Sequence, residues 1–439
     1  MSPALFRFDI ALDLFPMLAS TLAAVGCGLL GNFLVLRRVS LMGDAISHSV
    51  LPGLVVAFLV ASSRSPLVMF LGAALAGVAT VVLVELVKKL GRVEPQAAMG
   101  VVFSVLFALG VLLLQQAAAD AVDLDADCVL HGQLETLVWY GAPDSLAGLA
   151  DAATLRSVPR QVWTLAAMVA LAFLFTGLLF KELRLAAFDP GLATAQGFNA
   201  SLLHYLLMIV VAAATVASFE AVGSILVIAM LICPAATARL LTDRLLPQLA
   251  WSVAVALVCG VGGYVAAAAI PAAFGKDAVN AAGSMALTAG ALLMLAIIAS
   301  PNHGVITRAL RRRRLAARIA ADDLLALLYR AAEAGEDPVP LERLRDSMPG
   351  RTLDRAIAAV QRSGHAHRAG DALHLTPSGR DAAATLIRKH RLWEHYLVEQ
   401  TGADPRRVHP AAEQLEHTPT HPPPGPASDP HGRDIPPPP

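Results

Sequence analysis

The sequence predicts an all-α polytopic membrane protein of eight to nine transmembrane helices, followed by a small α+β winged-helix cytosolic domain. Three observations lead there. Of 439 residues, 56% are hydrophobic and 15% charged, with a mean hydropathy of +0.59, which excludes an ordinary soluble domain. Residues 1–300 hold 14 Lys+Arg and 17 Asp+Glu, whereas residues 301–439 hold 20 and 17, so a lipid-embedded part precedes a water-soluble one. The apolar residues of the first part fall into runs near the roughly 20 residues that a helix needs to cross hydrocarbon. The net charge of zero averages two unlike parts and carries no information about partners.

Taken in order, the spans lie near 16–36, 42–62, 66–87, 96–116, 161–180, 202–218, 221–240, 248–270 and 284–300. The count is nine. It falls to eight at either of two weak places: the first span, which starts in a mixed stretch, or Ser218-Phe219-Glu220, where one break separates two apolar runs. Arg37-Arg38, Lys88-Lys89-Arg92, Lys181 with Arg184, Arg239 with Arg244, and Arg308 with Arg311 to Arg314 fall on every second connection, which marks that side as cytoplasmic. The connections around Ser63, 117–160 and 271–283 are poorer in basic residues, and 117–160 holds the acidic run Asp120, Asp123, Asp125, Asp127. Nine spans and a cytoplasmic C-terminus put the N-terminus outside. The first apolar run lacks a basic n-region and an A-x-A-like site, so it is expected to stay in the mature protein. Cys27, Cys128, Cys233 and Cys259 are scattered, without the spacing of a disulfide framework or a CxxC metal site.

Ionisable groups inside spans are costly and point to function. Asp44 and His48 are four apart in Ser40-Leu41-Met42-Gly43-Asp44-Ala45-Ile46-Ser47-His48-Ser49-Val50-Leu51-Pro52-Gly53, hence on one helix face. Their carboxylate oxygen and imidazole nitrogen can share a divalent cation, and the mixed pair suits Mn, Zn or Fe better than Cu(I). The plainer alternative has Asp44 stabilising a helix N-terminus and His48 bonding between helices. Pro52 fits both. Glu220 reads as a solvated outer-side carboxylate, His204 as a histidine bonded locally at a span's cytoplasmic start, and His131 as an unspecific outer-loop residue.

The run Gly31-Asn32-Phe33-Leu34-Val35-Leu36-Arg37-Arg38 through Asp44, His48 and Gly53 resembles the signature of the manganese/zinc/iron class of ABC-transporter permeases. Phe188-Asp189-Pro190 with Ala193, Ala195 and Gly197 resembles that family's cytoplasmic Phe-Asp-Pro segment. Ala221-Val222-Gly223 through Cys233-Pro234-Ala235-Ala236-Thr237-Ala238-Arg239 resembles its Val-Gly and Pro-Ala-Ala-Thr-Ala block. The resemblance implies the permease of an importer in the inner (plasma) membrane, not itself an enzyme. Such a permease works with a second permease copy or paralogue, a separate cytosolic ABC ATPase and an extracytoplasmic metal-binding protein. The chain has no G-x-x-x-x-G-K-[ST] loop to cradle nucleotide phosphates, so hydrolysis falls to another chain. It further implies that Asp44 and His48 form the metal path for Mn²⁺, Zn²⁺ or Fe²⁺ as transported substrate, with no tightly bound cofactor. Phe188, Asp189, Pro190 and Gly197 would belong to the helix that couples to the ATPase.

Beyond the transmembrane domain of residues 1–300, residues 301–318 form a basic juxtamembrane linker suited to anionic lipid headgroups. Residues 319–378 read as a winged helix: an amphipathic helix from Asp322, short helices over Pro340 to Asp346 and Arg351 to Gln361, and a wing from His365 to Leu375. Residues 379–417 read as metal-sensor or dimerisation helices, and 418–439 as a Pro-rich tail expected to be extended or disordered. Residues 320–417 resemble metal-dependent repressors of the diphtheria-toxin-repressor and manganese-regulator type. That resemblance makes Asp323, His390, Glu413, Glu416 and His417 ligand positions for a regulatory metal, with Ala326 where the manganese-sensing members carry a carboxylate. Asp429-Pro430-His431-Gly432-Arg433-Asp434-Ile435-Pro436 looks like their Cys-Pro-x-Gly-x-x-Ile-Pro motif, without the helix expected before it. Arg351, Arg355 and Arg362 on the would-be recognition helix could meet DNA phosphates. Two rival readings stay open: a membrane-anchored metal-dependent transcription regulator, and an ABC permease for a metal chelate.

Overall fold

The computed structural model describes residues 8–61, 65–119, 134, 137–139, 157–418, 420 and 422–437. Asp120, Asp123, Asp125, Asp127, Cys128 and His131 lie outside the described residues. The chain forms two compact units, Met1–Thr307 and Arg308–Pro439.

In the first unit, α1 (Ile10–Leu36) starts where Asp9 Oδ1 accepts from the Ala11 N–H at 2.8 Å. Its mixed letters have a packing reason, because it is the most enclosed spanning helix: 83% of its apolar window is buried, against 22–61% in the others. Protein rather than lipid surrounds its polar groups. Asn32 accepts from Gln248 Nε2 at 2.9 Å and donates to the Gly28 carbonyl at 2.8 Å, and Ser252 Oγ donates to that same carbonyl at 2.8 Å.

There follow α2 (Met42–Ala61), α3 (Pro66–Gly91), α4 (Pro95–Ala119) and α5 (Arg160–Leu178). The short α6 (Phe180–Phe188) and α7 (Pro190–Ala195) precede α8 (Ala200–Leu241). Then come α9 (Leu245–Leu257), a π-helical turn (Val258–Gly262), α10 (Gly263–Ala273) and α11 (Ala281–Ala299). Among the described residues, eight helices are long and apolar enough to cross a membrane, with Leu245–Ala273 as one of them.

The 42 residues of α8 would measure about 63 Å as a straight rod, twice the hydrocarbon thickness. They do not form one. Gly223 (φ 78°, ψ 167°) adopts a backbone shape that side chains forbid, and it interrupts the helix. Ser218 Oγ lies 3.6 Å from Cys27 Sγ, while Pro234 borders Gly28. Residues of α8 that a rod would hold about 24 Å apart therefore meet adjacent residues of α1. The chain folds back at Gly223 into two arms, which correspond to the expected spans 202–218 and 221–240. Glu220, expected in a loop, stands exposed in the last turn of the first arm. A β-carbon on Gly31 would come within 1.8 Å of the Leu231 carbonyl oxygen, so the second arm crosses α1 on bare backbone.

The expected linker 301–318 is helical from Val305 onward as the start of α12 (Val305–Glu333), whose residues from Arg308 on belong to the second unit. β1 (Val339–Pro340), α13 (Leu341–Ser347), α14 (Gly350–Arg362), β2 (Ala366–Ala369) and β3 (Ala372–Leu375) follow. The antiparallel sheet has the order β1-β3-β2, with Ala366 opposite Leu375 and Ala369 opposite Ala372. Leu324, Leu328, Leu344, Leu353, Val360 and Leu373 fill the core of this winged helix. α15 (Pro377–Thr401) begins where Thr376 Oγ1 accepts from the Gly379 N–H at 3.0 Å, and α16 (His409–Glu416) closes the helical part. The tail has one isolated bridge, Ser428 to Asp434, yet residues 422–437 are tied down. Arg388 and Arg391 donate to the carbonyls of Pro436 and Asp434, Ile435 is buried, and Asp429 accepts from the His431 and Arg433 N–H groups at 2.9 and 2.8 Å.

Candidate functional site

Three groups of residues carry chemistry. The first opens α2. Asp44 sits in its first turn, where the helix dipole favours a carboxylate. His48, one turn on, brings Nε2 to 3.3 Å from Asp44 Oδ1. Of the nine residues from Met42 to Val50, only these two are not buried. The His48 ring packs 5.0 and 5.7 Å from Phe103 and Phe107 of α4. Neighbouring hydroxyls are already used: Ser47 donates to the Gly43 carbonyl and Ser49 to that of Ala45, with Thr80 Oγ1 at 2.5 Å from Ser49 Oγ. One carboxylate and one imidazole thus remain for a cation, fewer ligands than a divalent ion normally takes.

The second group links α6 to α7. Asp189 Oδ1 accepts from the Leu192 N–H at 2.9 Å, and Pro190 occupies the first helical position, where its missing N–H costs nothing. Gly197, at φ 88°, stops the turn. Ala193 is buried against Ala186 and Leu203, which leaves Phe188 and Leu192 exposed by 57% and 45%.

The third group lies in the second unit. Asp323, Glu416 and His417 converge, with His417 Nε2 at 3.2 Å from Asp323 Oδ1 and 3.5 Å from Glu416 Oε1. His390 joins another set, with Glu394 and His409: His390 Nε2, Glu394 Oε1 and His409 Nδ1 lie 2.9–3.1 Å from one another. Ligand atoms around a tetrahedral ion with bonds of about 2.1 Å sit roughly 3.4 Å apart, so a few tenths of an ångström of opening suffices. Glu394 Oε2 is buried without a hydrogen-bond partner among the described residues, an orphaned oxygen that a cation could satisfy. His390 Nδ1 lies 2.5 Å from Glu416 Oε2, the contact by which a carboxylate orients a ligating imidazole.

Electrostatics couple the same groups. Burial opposes charge on His390, but hydrogen bonds to Glu394 and Glu416 outweigh it and raise its pKa. Burial also opposes charge on Glu394, yet His390 and His409 pull it down to about 2. Burial raises Asp322 and Asp323, against His417. Glu413 is exposed and belongs to neither set, adding only repulsion on Asp323. Sequence reasoning did not place Glu394 among the candidate ligands, though its spacing of four from His390 on one helix was a signal. It missed His409 because nothing local links α16 to α15. Arg351, Arg355 and Arg362 are all exposed along one face of α14, opposite the buried Leu353, Ile357 and Val360.

Residues 14–139 and 152–298 match the ABC 3 transport family. Residues 376–421 match the metal binding and dimerisation domain of iron dependent repressors. The manganese transport system membrane protein MntD of Bacillus subtilis is 41% identical over 293 residues, covering 66% of this chain and 92% of that one. The zinc transport system membrane protein TroD of Treponema pallidum is 36% identical over 368 residues, 83% of this chain and 95% of that one, an alignment that must run past α11. Among solved structures, PsaBC from Streptococcus pneumoniae in complex with Fab matches with a TM-score of 0.53 and 27% identity over 68% of this chain and 94% of that one.

Proposed function

Because the chain belongs to the ABC 3 transport family, a family of multi-pass membrane permeases, we propose that it carries a divalent transition metal ion, Mn²⁺, Zn²⁺ or Fe²⁺, into the cytoplasm. The names of the relatives, manganese and zinc transport proteins, support that cargo. Asp44 and His48 line its path. The observation that carries this reading is their isolation: a mixed oxygen and nitrogen pair left unburied on an otherwise packed helix turn. Two ligands hold an ion weakly enough to release it, and a second permease copy or paralogue facing the first would complete the coordination during passage. A separate ATPase supplies the energy by docking on the exposed Phe188 and Leu192, and an extracytoplasmic metal-binding protein delivers the ion. ATP then biases two states of the paired permeases, one open to each side.

The second unit reads cytosolic metal through its two ligand sets and throttles import when metal is plentiful. The test of the transport reading is Asp44→Ala in reconstituted vesicles: uptake of radioactive metal is expected to vanish while the complex still assembles. Uptake at the unmutated rate would overturn the path. Competition between free cations and metal chelates would expose a chelate permease instead. The arginine face of α14 favours a second reading of the second unit, a DNA-binding regulator, which predicts a metal-dependent gel shift by the full chain; no shift with Mn²⁺ sets it aside.

A further inference from the structure

A cavity of about 470 Å³ opens at the end of the first unit where α1, α3 and α8 meet α6. Arg37, Arg38, Lys88 and Lys89 line it, against the single carboxylate of Glu85. Glu85 is already engaged, with Lys88 Nζ at 3.0 Å and His204 Nε2 at 3.3 Å. Arg37 Nη1 donates to His204 Nδ1 at 3.0 Å, which fixes that end of the guanidinium. Its other two nitrogens, Nε and Nη2, are buried and have no hydrogen-bond partner among the described residues. Those two N–H groups form one edge of the planar guanidinium and point the same way, the fork that takes two oxygens of one phosphate or carboxylate once the side chain turns to open it to the cavity. Arg38 beside it is held at φ 59°, a left-handed backbone that a side chain rarely adopts. Lys89 Nζ and Tyr205 Oη, 3.3 Å apart, stand at the rim.

We infer that this cavity is a binding site for the phosphate of an anionic phospholipid, with Arg37 as the bidentate donor and Arg38 and Lys89 as flanking cations. Depth favours a lipid. Arg37 caps a 27-residue apolar helix, so its guanidinium lies at the level of the headgroups, and the apolar wall of Leu36, Ala186, Ala187 and Ala200 suits the glycerol and first methylenes. Glu85 and His204 serve as positioning residues that hold Lys88 and Arg37 in register. The site concerns membrane seating and is independent of the cargo, so its failure would leave the transport reading untouched.

The experiment is native mass spectrometry of the purified full chain titrated with phosphatidylglycerol or phosphatidylcholine, with and without millimolar inorganic phosphate. The expected result is preferential retention of phosphatidylglycerol that inorganic phosphate does not displace. Arg37→Gln, and separately Arg38→Gln and Lys89→Gln, should each weaken it about fivefold, the effect of one cation near an anionic surface. Arg38 and Lys89 are exposed, so their variants keep the test valid even if Arg37→Gln fails to fold. Equal retention of both lipids, retention unchanged in the Arg38 and Lys89 variants, or displacement by inorganic phosphate would overturn the inference. So would unaltered lipid retention combined with weakened ATPase assembly, which would assign the fork to an acidic side chain of that partner.

Discussion

At the scale of single residues, His390 shows how a buried imidazole between two carboxylates reports on its protonation. Without metal its pKa is raised, so its stabilising contribution is complete below the ordinary histidine value of about 6.5 and is lost as pH rises through the higher folded value. Glu394, pulled down to about 2, contributes above the ordinary carboxylate range and is lost only in strong acid. The metal-stripped chain is therefore expected to unfold at a lower temperature at about pH 8.5 than at about pH 6, followed by calorimetry of the second unit's transition. Metal should reverse the trend, since the ion replaces the proton on His390. A flat or rising apo profile would remove His390 from the buried network. The approach of Asp44 to His48 was legible because an i, i+4 spacing is local; that of His409 to His390 was not, because only the packing of α16 on α15 brings them together.

At the scale of elements, the two arms of α8 depend on one torsion. Gly223→Ala would force a β-carbon into a region open to glycine alone and is expected to cost about 1–3 kcal/mol. Thermal unfolding of the purified chain would register it, and an unchanged midpoint would mean that the arms do not need the reversal. The sequence marked this break only as Ser218-Phe219-Glu220, a few residues early, because a charge is visible in a string of letters and a positive φ is not. The same limit applied to α1, whose polar letters look like a poor span until its neighbours are known. For α6 and α7, replacing the exposed Phe188 with Ala should leave spanning and metal binding intact but reduce metal-stimulated ATP hydrolysis by the assembled transporter about tenfold, the effect of losing one apolar anchor from the interface. Stimulation at the unmutated level would relocate the coupling surface. The winged helix was read nearly element by element, because short amphipathic helices and a Gly-turned wing have local signatures. The docked tail was not, since its anchors are carbonyls reached by Arg388 and Arg391 from α15.

At the scale of the whole molecule, a transport unit and a ligand-rich unit share one chain, and the proposed throttle predicts a phenotype that neither would give alone. Preloading vesicles with metal on the side of the second unit should slow uptake, and Glu416→Gln should relieve that inhibition while the uptake rate in unloaded vesicles stays the same. Inhibition that persists in the variant would separate sensing from these residues. Glu416 has a further consequence, because its two oxygens serve different neighbours, one His390 and the other His417. The two ligand sets cannot be filled as strangers. Whatever factor the first bound ion imposes on the affinity of the second, the second imposes on the first, and a binding isotherm fitted with two unrelated constants should leave systematic residuals.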